Sequence, residues 1–305
     1  MKSAAVFLLF LMGAATTRAD AAQNGIAVLL LAHGGDPAWN ASVESLRQTV
    51  SSWVPCALAL GMADPDSLQQ GVDELEKNEP ETIVVVPLFI NSSSEVLDQT
   101  RYSLGLTDKP SEILRAAAER MKSMPMPPGM PHHRMNMFSL QRVSHRASFL
   151  VAPALDASPF VSSVLLERAK ALSREPSQET VVLVAHGPVD DAAVKNWEAD
   201  LAAHAAAIKK GGGFLDVQAA LLRDDAAPEV RAQAVAELRA KVEAAGKSGG
   251  RALVVPVLIA RGGIEDKIPR DLKGLTFSWS GDALLPQPGF DAWVLNSVQK
   301  TLDGR

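Results

Sequence analysis

Two short strings occur twice in this chain, in the same order and at comparable separation. Leu30-Leu31-Ala32-His33-Gly34 returns as Leu183-Val184-Ala185-His186-Gly187, and Val85-Val86-Pro87-Leu88-Phe89-Ile90 returns as Val254-Val255-Pro256-Val257-Leu258-Ile259. Each string is a continuous apolar run, the pattern of a strand covered on both faces of a parallel sheet. A strand-helix tail follows each pair, at 149–174 and again at 275–302. The chain therefore reads as two tandem homologous halves, and 305 residues suit two domains of about 150 residues each.

Between the repeated strings, strand and helix patterns alternate. Ile26–Leu31, Cys56–Leu60 and Ile83–Val86 read as strands, with helices over 39–53 and 66–77, the second capped by Asp66. Phe149–Ala152, Val181–Val184, 215–222 and Leu253–Val255 read as further strands, with helices over 160–174, 192–209 and 229–245. Gly211-Gly212-Gly213 is a stop signal for the second of these helices. Repeated β-α units with short links predict an α/β fold of two doubly wound parallel-sheet halves facing a central cleft. The expected boundaries are a signal peptide at 1–21, a first half at 22–175 and a second half at 176–305. An insertion over 121–147 interrupts the first half. Its 121–137 stretch carries six of the nine methionines with Pro125, Pro127, Pro128, Pro131, His132 and His133, and that proline density excludes helix or sheet interior. Thioether and imidazole together are ligands for soft or borderline metals, so this stretch is a candidate metal-gathering loop.

The residue balance removes several function classes. Thirty basic residues against 35 acidic give a net charge of −5, which argues against a nucleic-acid partner, and aromatic residues at 5% offer no base-stacking platform. One cysteine, Cys56, excludes a disulfide scaffold and a cysteine-based zinc finger. Lys2, the apolar run Ala4–Ala15 and Ala19-Asp20-Ala21 have the layout of a cleavable secretory signal. The apolar run is too short to span a bilayer, so no stable membrane insertion is expected once the signal is cleaved, and the location expected is periplasmic or secreted.

His33 and His186 each follow an apolar strand and precede glycine, at the sheet edge where open α/β folds bind ligands. An α/β-hydrolase would also need a G-x-S-x-G elbow, which the chain lacks. A phosphohistidine motif would want arginine where Ala32 and Ala185 stand. Metal handling by a neutral imidazole remains.

At these residues the chain resembles the class II chelatases. The A-H-G after strand one, V-V-P-L-F-I at strand three, the two-half layout and the stretch Glu179–Pro188 carry the likeness. The resemblance implies a chelatase-like lyase that inserts Co²⁺ or Fe²⁺ into sirohydrochlorin or a related tetrapyrrole. The metal is then a substrate, and no nucleotide cofactor is required. It also implies that His33 or His186 is a metal ligand. The second histidine of that family is absent: Asn91-Ser92-Ser93-Ser94-Glu95 and Arg261-Gly262-Gly263-Ile264-Glu265 occupy the corresponding stretches. A periplasmic metal- or tetrapyrrole-binding protein that kept the fold without catalysis is the competing reading.

A carboxylate in a dry cleft could take the place of that histidine and accept pyrrole protons, which makes Glu95 and Glu265 candidates. Arg261 and Lys267 are suited to the substrate's carboxylates, and Ser92 and Ser93 could hydrogen-bond them. Neutral hydroxyls are weak ligands for transition metals. We therefore expect His186 with Glu265 to hold the metal, and His33 to line the opposite wall. The oligomeric state is open. The N-terminal pattern predicts a mature chain beginning at or near Ala22, and N-terminal sequencing of native protein that began at Met1, in the cytosol, would overturn the export reading.

Overall fold

The computed structural model describes residues 25–112, 114–115, 119, 140–247 and 250–304. The expected signal peptide and the Met/His stretch 121–137 lie outside the described residues. Two four-stranded parallel sheets are formed, in the orders β2-β1-β3-β4 and β6-β5-β7-β8. The first comprises β1 (Ile26–Ala32), β2 (Cys56–Leu60), β3 (Thr82–Pro87) and β4 (Ser148–Val151). The second comprises β5 (Glu179–Ala185), β6 (Asp216–Leu221), β7 (Arg251–Val257) and β8 (Ser278–Trp279). The connecting helices are α1 (Pro37–Ser51), α2 (Pro65–Glu76), α3 (Glu95–Ser103), α4 (Pro159–Leu172), α5 (Asp191–Gly212), α6 (Pro228–Lys247), α7 (Ile264–Asp271) and α8 (Phe290–Asp303). The repeat seen in the sequence is thus a repeat of topology.

Strand periodicity explains how one apolar run serves two cores. In β1, Val28, Leu30 and Ala32 face the inner core, whereas Ala27, Leu29 and Leu31 face the outer one. In β5, Val181, Leu183 and Ala185 face the same inner core, and Val182 and Val184 face a separate outer cluster. All of these side chains are fully buried, each worth roughly 1.5–3 kcal/mol for the valines and leucines. Inner faces of both sheets therefore share one core.

The closing helices bind the halves together. Helix α4, from the first repeat, packs on β7 of the second sheet and along α5. Helix α8, from the second repeat, packs on α1, β3 and β4 of the first sheet. An edge-on contact of Phe290 with Phe160, at 5.3 Å, joins the starts of α4 and α8, and Phe290 also meets Trp293 of its own helix edge-on at 5.5 Å. The link between the repeats is clamped by Glu179, whose carboxylate accepts from the Ser173 hydroxyl, Arg174 N at 3.0 Å and Arg251 Nη1 at 3.2 Å.

One local expectation is corrected. Helix α2 is capped by Asp64, which accepts from Ser67 N at 3.2 Å, because Pro65 takes the first helical position where a missing N–H costs nothing; Asp66 lies one turn position further in. His204, in the middle of α5, is only 1% exposed. It sits between α5 and α4, where Nε2 donates to the Asp156 carbonyl at 3.0 Å and Nδ1 accepts from the Ser162 hydroxyl at 2.7 Å. Cys56 is buried in the inner core, and burial pushes its thiol up to about 12 against the opposing charge of Arg47.

Burial also lowers the pKa of His204, against the opposing pull of the Asp156 carbonyl. The unfolded chain then binds the proton more tightly, so this contribution is present above about pH 6.5 and lost as pH falls towards the folded value. His204→Gln should cost about 1–3 kcal/mol at pH 8, for the polar groups left imperfectly paired. The gap from wild type should narrow at pH 5; urea unfolding that gave an equal gap at both pH values would refute this role.

Candidate metal-handling cleft

The A-H-G turns are dictated by the next strand. Gly34 has φ 80° and Gly187 φ 79°, a region that disfavours any Cβ. A Cβ on Gly187 would also come within 3.1 Å of Leu221 Cβ and 3.3 Å of Arg223 N. In both repeats the backbone of the following loop bonds to the histidine carbonyl: Gly61 N donates to His33 O at 3.1 Å, and Arg223 N to His186 O at 2.8 Å. Both imidazoles are then fixed alike, with Nδ1 on the carbonyl of the next glycine at 2.6 Å in His33 and 2.7 Å in His186. The two histidines thus stand at the carboxyl edge of their sheets, beside the point where the strand order reverses between β1 and β3 and between β5 and β7.

Their other nitrogens differ. His33 is exposed, and its Nε2 has no partner among the described residues. His186 Nε2 lies 2.9 Å from Asp225 Oδ2. With a carbonyl on one side and a carboxylate on the other, both ring nitrogens of His186 face acceptors, an arrangement that favours the doubly protonated form and leaves no nitrogen turned to a metal. Burial opposes that charge, but the hydrogen bonds to Asp225 and Gly187 and the charges of Asp225 and Asp224 outweigh it and raise the pKa. His33, whose Nδ1 is spent on the Gly34 carbonyl, turns an Nε2 with no partner among the described residues outward. The geometry therefore favours His33 over the expected His186 as the donor.

Asp225, absent from the sequence-based candidates, comes from the loop between β6 and α6. The His186 hydrogen bond holds its carboxyl below the usual range against partial burial, helped by the charges of His186, His33 and Lys267. Asp224, its neighbour, points inward to Arg231 Nε at 2.9 Å and Lys267 Nζ at 2.5 Å.

The remaining expected residues serve other contacts. Glu265 is 5% exposed, and its Oε2 accepts from Gly262 N at 3.1 Å and Gly263 N at 3.2 Å, with Arg261 Nε 3.7 Å from Oε1. No bond joins it to His186. Ser92 donates its hydroxyl to Asp156 Oδ2 at 2.6 Å while its backbone N donates to Oδ1 at 2.6 Å. Ser93 accepts from Asn196 Nδ2 at 2.6 Å, and the buried Asn91 donates to Asp200 at 2.5 Å. Glu95 opens α3 and is half-buried. Arg261 remains 64% exposed on its side chain, and Lys267 is half-exposed beside Asp224.

These loops interlock symmetrically. Ser93 and Gly262, each six residues beyond the strand-three proline, both reach the first helix of the other repeat: Ser93 touches Asn196 of α5, and a Cβ on Gly262 would lie 3.0 Å from Trp39 Cδ1 of α1. Among the described residues no three His, Cys, Asp or Glu side chains gather as a metal cage. A groove of about 810 Å³ between α5, α6 and β6, lined by Leu201, Ala205, Val217 and Ala234, borders neither histidine.

Residues 27–172 match the family model CbiX. Among solved structures, SirB from Bacillus subtilis with Fe³⁺ matches with a TM-score of 0.60 at 19% identity, over 90% of this chain and 95% of that one. The sirohydrochlorin chelatase SirB from Bacillus subtilis subspecies spizizenii, in complex with cobalt, gives 0.56 at 14%, over 90% and 94%. CbiX, described as the terminal enzyme for biosynthesis of siroheme in denitrifying bacteria, gives 0.50 at 16%, over 90% and 98%. At these identities the likeness is one of fold. No curated protein sequence matches the chain.

The His186–Asp225 pair sets a clear titration. Its stabilisation is complete below about pH 6.5 and is lost as pH rises through the raised folded pKa. Histidine NMR titration should find His186 above about 6.5, and Asp225→Asn should bring it down; a value unchanged by that substitution would show that the pair does not form.

Proposed function

We propose that this chain, whose residues 27–172 match the family model CbiX, inserts a divalent metal, Co²⁺ or Fe²⁺, into sirohydrochlorin or a closely related tetrapyrrole. The observation that carries this reading is the open Nε2 of His33 at the carboxyl edge of β1. A neutral imidazole suits either ion, and one weakly held donor leaves coordination positions for pyrrole nitrogens. Insertion exchanges two pyrrole N–H bonds for bonds to the metal, and the two protons leave to carboxylates or water in the cleft. Glu95, half-buried at the start of α3, is a candidate acceptor from the first half.

The substrate is a flat polyanion. Arg261, exposed beside the glycine pair, and Lys267 carry the positive charge that would meet its carboxylates at the rim. Ser92 and Ser93 are committed to Asp156 and Asn196, so their part is to fix the loop on which the macrocycle would rest. If residues 1–21 direct export, this metal insertion takes place outside the cytoplasm.

A binder that kept the fold is the second reading, favoured by one observation. Neither stretch after the repeated proline strand carries the histidine that a two-histidine site would use. Anaerobic incubation with sirohydrochlorin and Co²⁺ or Fe²⁺, followed by absorbance, separates the two. The chelatase reading expects acceleration over the spontaneous rate, lost in His33→Ala and reduced less in His186→Ala. A wild-type rate equal to the spontaneous one would leave only the binder.

A further inference from the structure

The groove of about 810 Å³ is lined by α5, α6 and β6 together. Helix α5 packs into the inner core and α6 into the outer cluster, on opposite faces of the second sheet. A groove that both helices line therefore lies at the sheet's edge, along β6. No strand pairs with that edge among the described residues. A bare edge presents a row of N–H and C=O groups to any chain that can lie against it. The equivalent edge strand of the first repeat, β2, has three of its five residues buried and stands between helices of 15 and 12 residues. In β6 only Ala220 of six residues is buried, and the flanking helices are longer, at 22 and 20 residues.

We infer that this edge is a homodimer interface, in which a second copy of the chain lays its own β6 antiparallel to the first about a twofold axis. The inference goes beyond the chelatase reading and does not depend on it, since the groove borders neither His33 nor His186.

The placement of charge selects a second copy as the occupant. Helices that connect parallel strands run back against them, so α5 and α6 are both antiparallel to β6. Lys209, near the end of α5, lies 3.8 Å from Asp216 at the start of β6, and Lys241 of α6 lines the same end of the groove. Glu198 of α5 and Glu229, at the start of α6, stand towards the other end. There Asp191 and Arg223 neutralise each other at 2.8 Å, whereas Glu198 and Glu229 have no ion-pair partner among the described residues. A face basic at one end and acidic at the other repels a copy laid parallel and matches one laid antiparallel. A single register satisfies α5. With the axis passing between Ala202 and Ala205, Glu198 of one copy meets Lys209 of the other, and Ala202 meets Ala205, small side chains that let two helices approach closely. The same rotation in α6 sets Glu229 against Lys241 and Gln233 against Glu237. An isologous contact makes every pair twice. Two helices and a strand forming a face about 30 Å long match the scale of stable interfaces, about 800 Å² per partner.

The test is analytical ultracentrifugation of the purified native protein across micromolar concentrations, with folding of each variant checked by circular dichroism. Wild type should show a reversible monomer–dimer equilibrium. Lys209→Glu and Glu198→Lys each set like charges against one another twice across the axis, so each should weaken dimerisation by about 10-fold or more. An equal mixture of the two variants should regain it as a heterodimer, because each then meets opposite charge in the other. Within one copy these positions are about three helical turns apart, so no contact inside the chain accounts for that rescue. A monomer at every concentration would overturn the interface and leave the groove to a different occupant. Dimers indifferent to both substitutions, or a mixture that stays monomeric, would overturn it as well. A dimer that inserts metal only at the spontaneous rate keeps the interface and loses the chelatase reading; a monomer that accelerates insertion does the reverse.

Discussion

Each repeat lends its last helix to the other, and the rest of the structure depends on that exchange. With α4 on the second sheet and α8 on the first, the inner faces of both sheets close over one apolar core. The first inner face is thus covered by α1 of its own repeat together with α8 of the other. The histidine turns, which stand at the carboxyl edges above that core, are consequently held in a fixed relation. Loop contacts at Ser93 with Asn196 and at Gly262 with Trp39 repeat the exchange at the rim.

On this shared frame, equal backbones carry unequal chemistry. Both A-H-G turns use a left-handed glycine, and both histidines spend Nδ1 on its carbonyl. The difference arises one loop away. Where the first repeat has Gly61 bonded to the histidine carbonyl, the second has Arg223, followed by Asp224 and Asp225. The extra carboxylate gives His186 Nε2 a partner and raises its pKa, whereas His33 Nε2 has no partner among the described residues. A duplicated turn thereby yields two different hydrogen-bonding environments from one local geometry.

The sequence was most legible where a single physical cause dominates. Strands buried on both faces must be continuously apolar, so β1, β3, β5 and β7 and their repetition could be read directly, and with them the α/β class and the strand-end histidines. What failed to show was set by tertiary partners. Nothing in the pattern of α4 or α8 says which sheet it covers, since an apolar stripe fits either. The burial of His204 has no signal in a helix whose neighbouring residues are alanines and lysines, since α4 crosses over from the other repeat to cover it. Glu265 carried the right chemistry at the right strand end, but the backbone N–H groups of its own glycine loop claimed the carboxylate first. Asp225 had a usable signal, an Asp-Asp pair on the loop adjoining His186 across the sheet edge. That signal acquires meaning only once β6 is known to lie beside β5.

Cys56 lies in the inner core on β2 with its thiol pushed up to about 12. At neutral pH the thiolate, the form that attacks oxidants, disulfides and soft metals, amounts to about one molecule in 10⁵, and the surrounding side chains shut out reagents from solvent. An accessible thiol is the side chain most open to oxidants, to disulfide exchange and to soft metal ions. By lodging its single sulfhydryl under α1, this chain avoids crosslinking to a neighbour through sulfur.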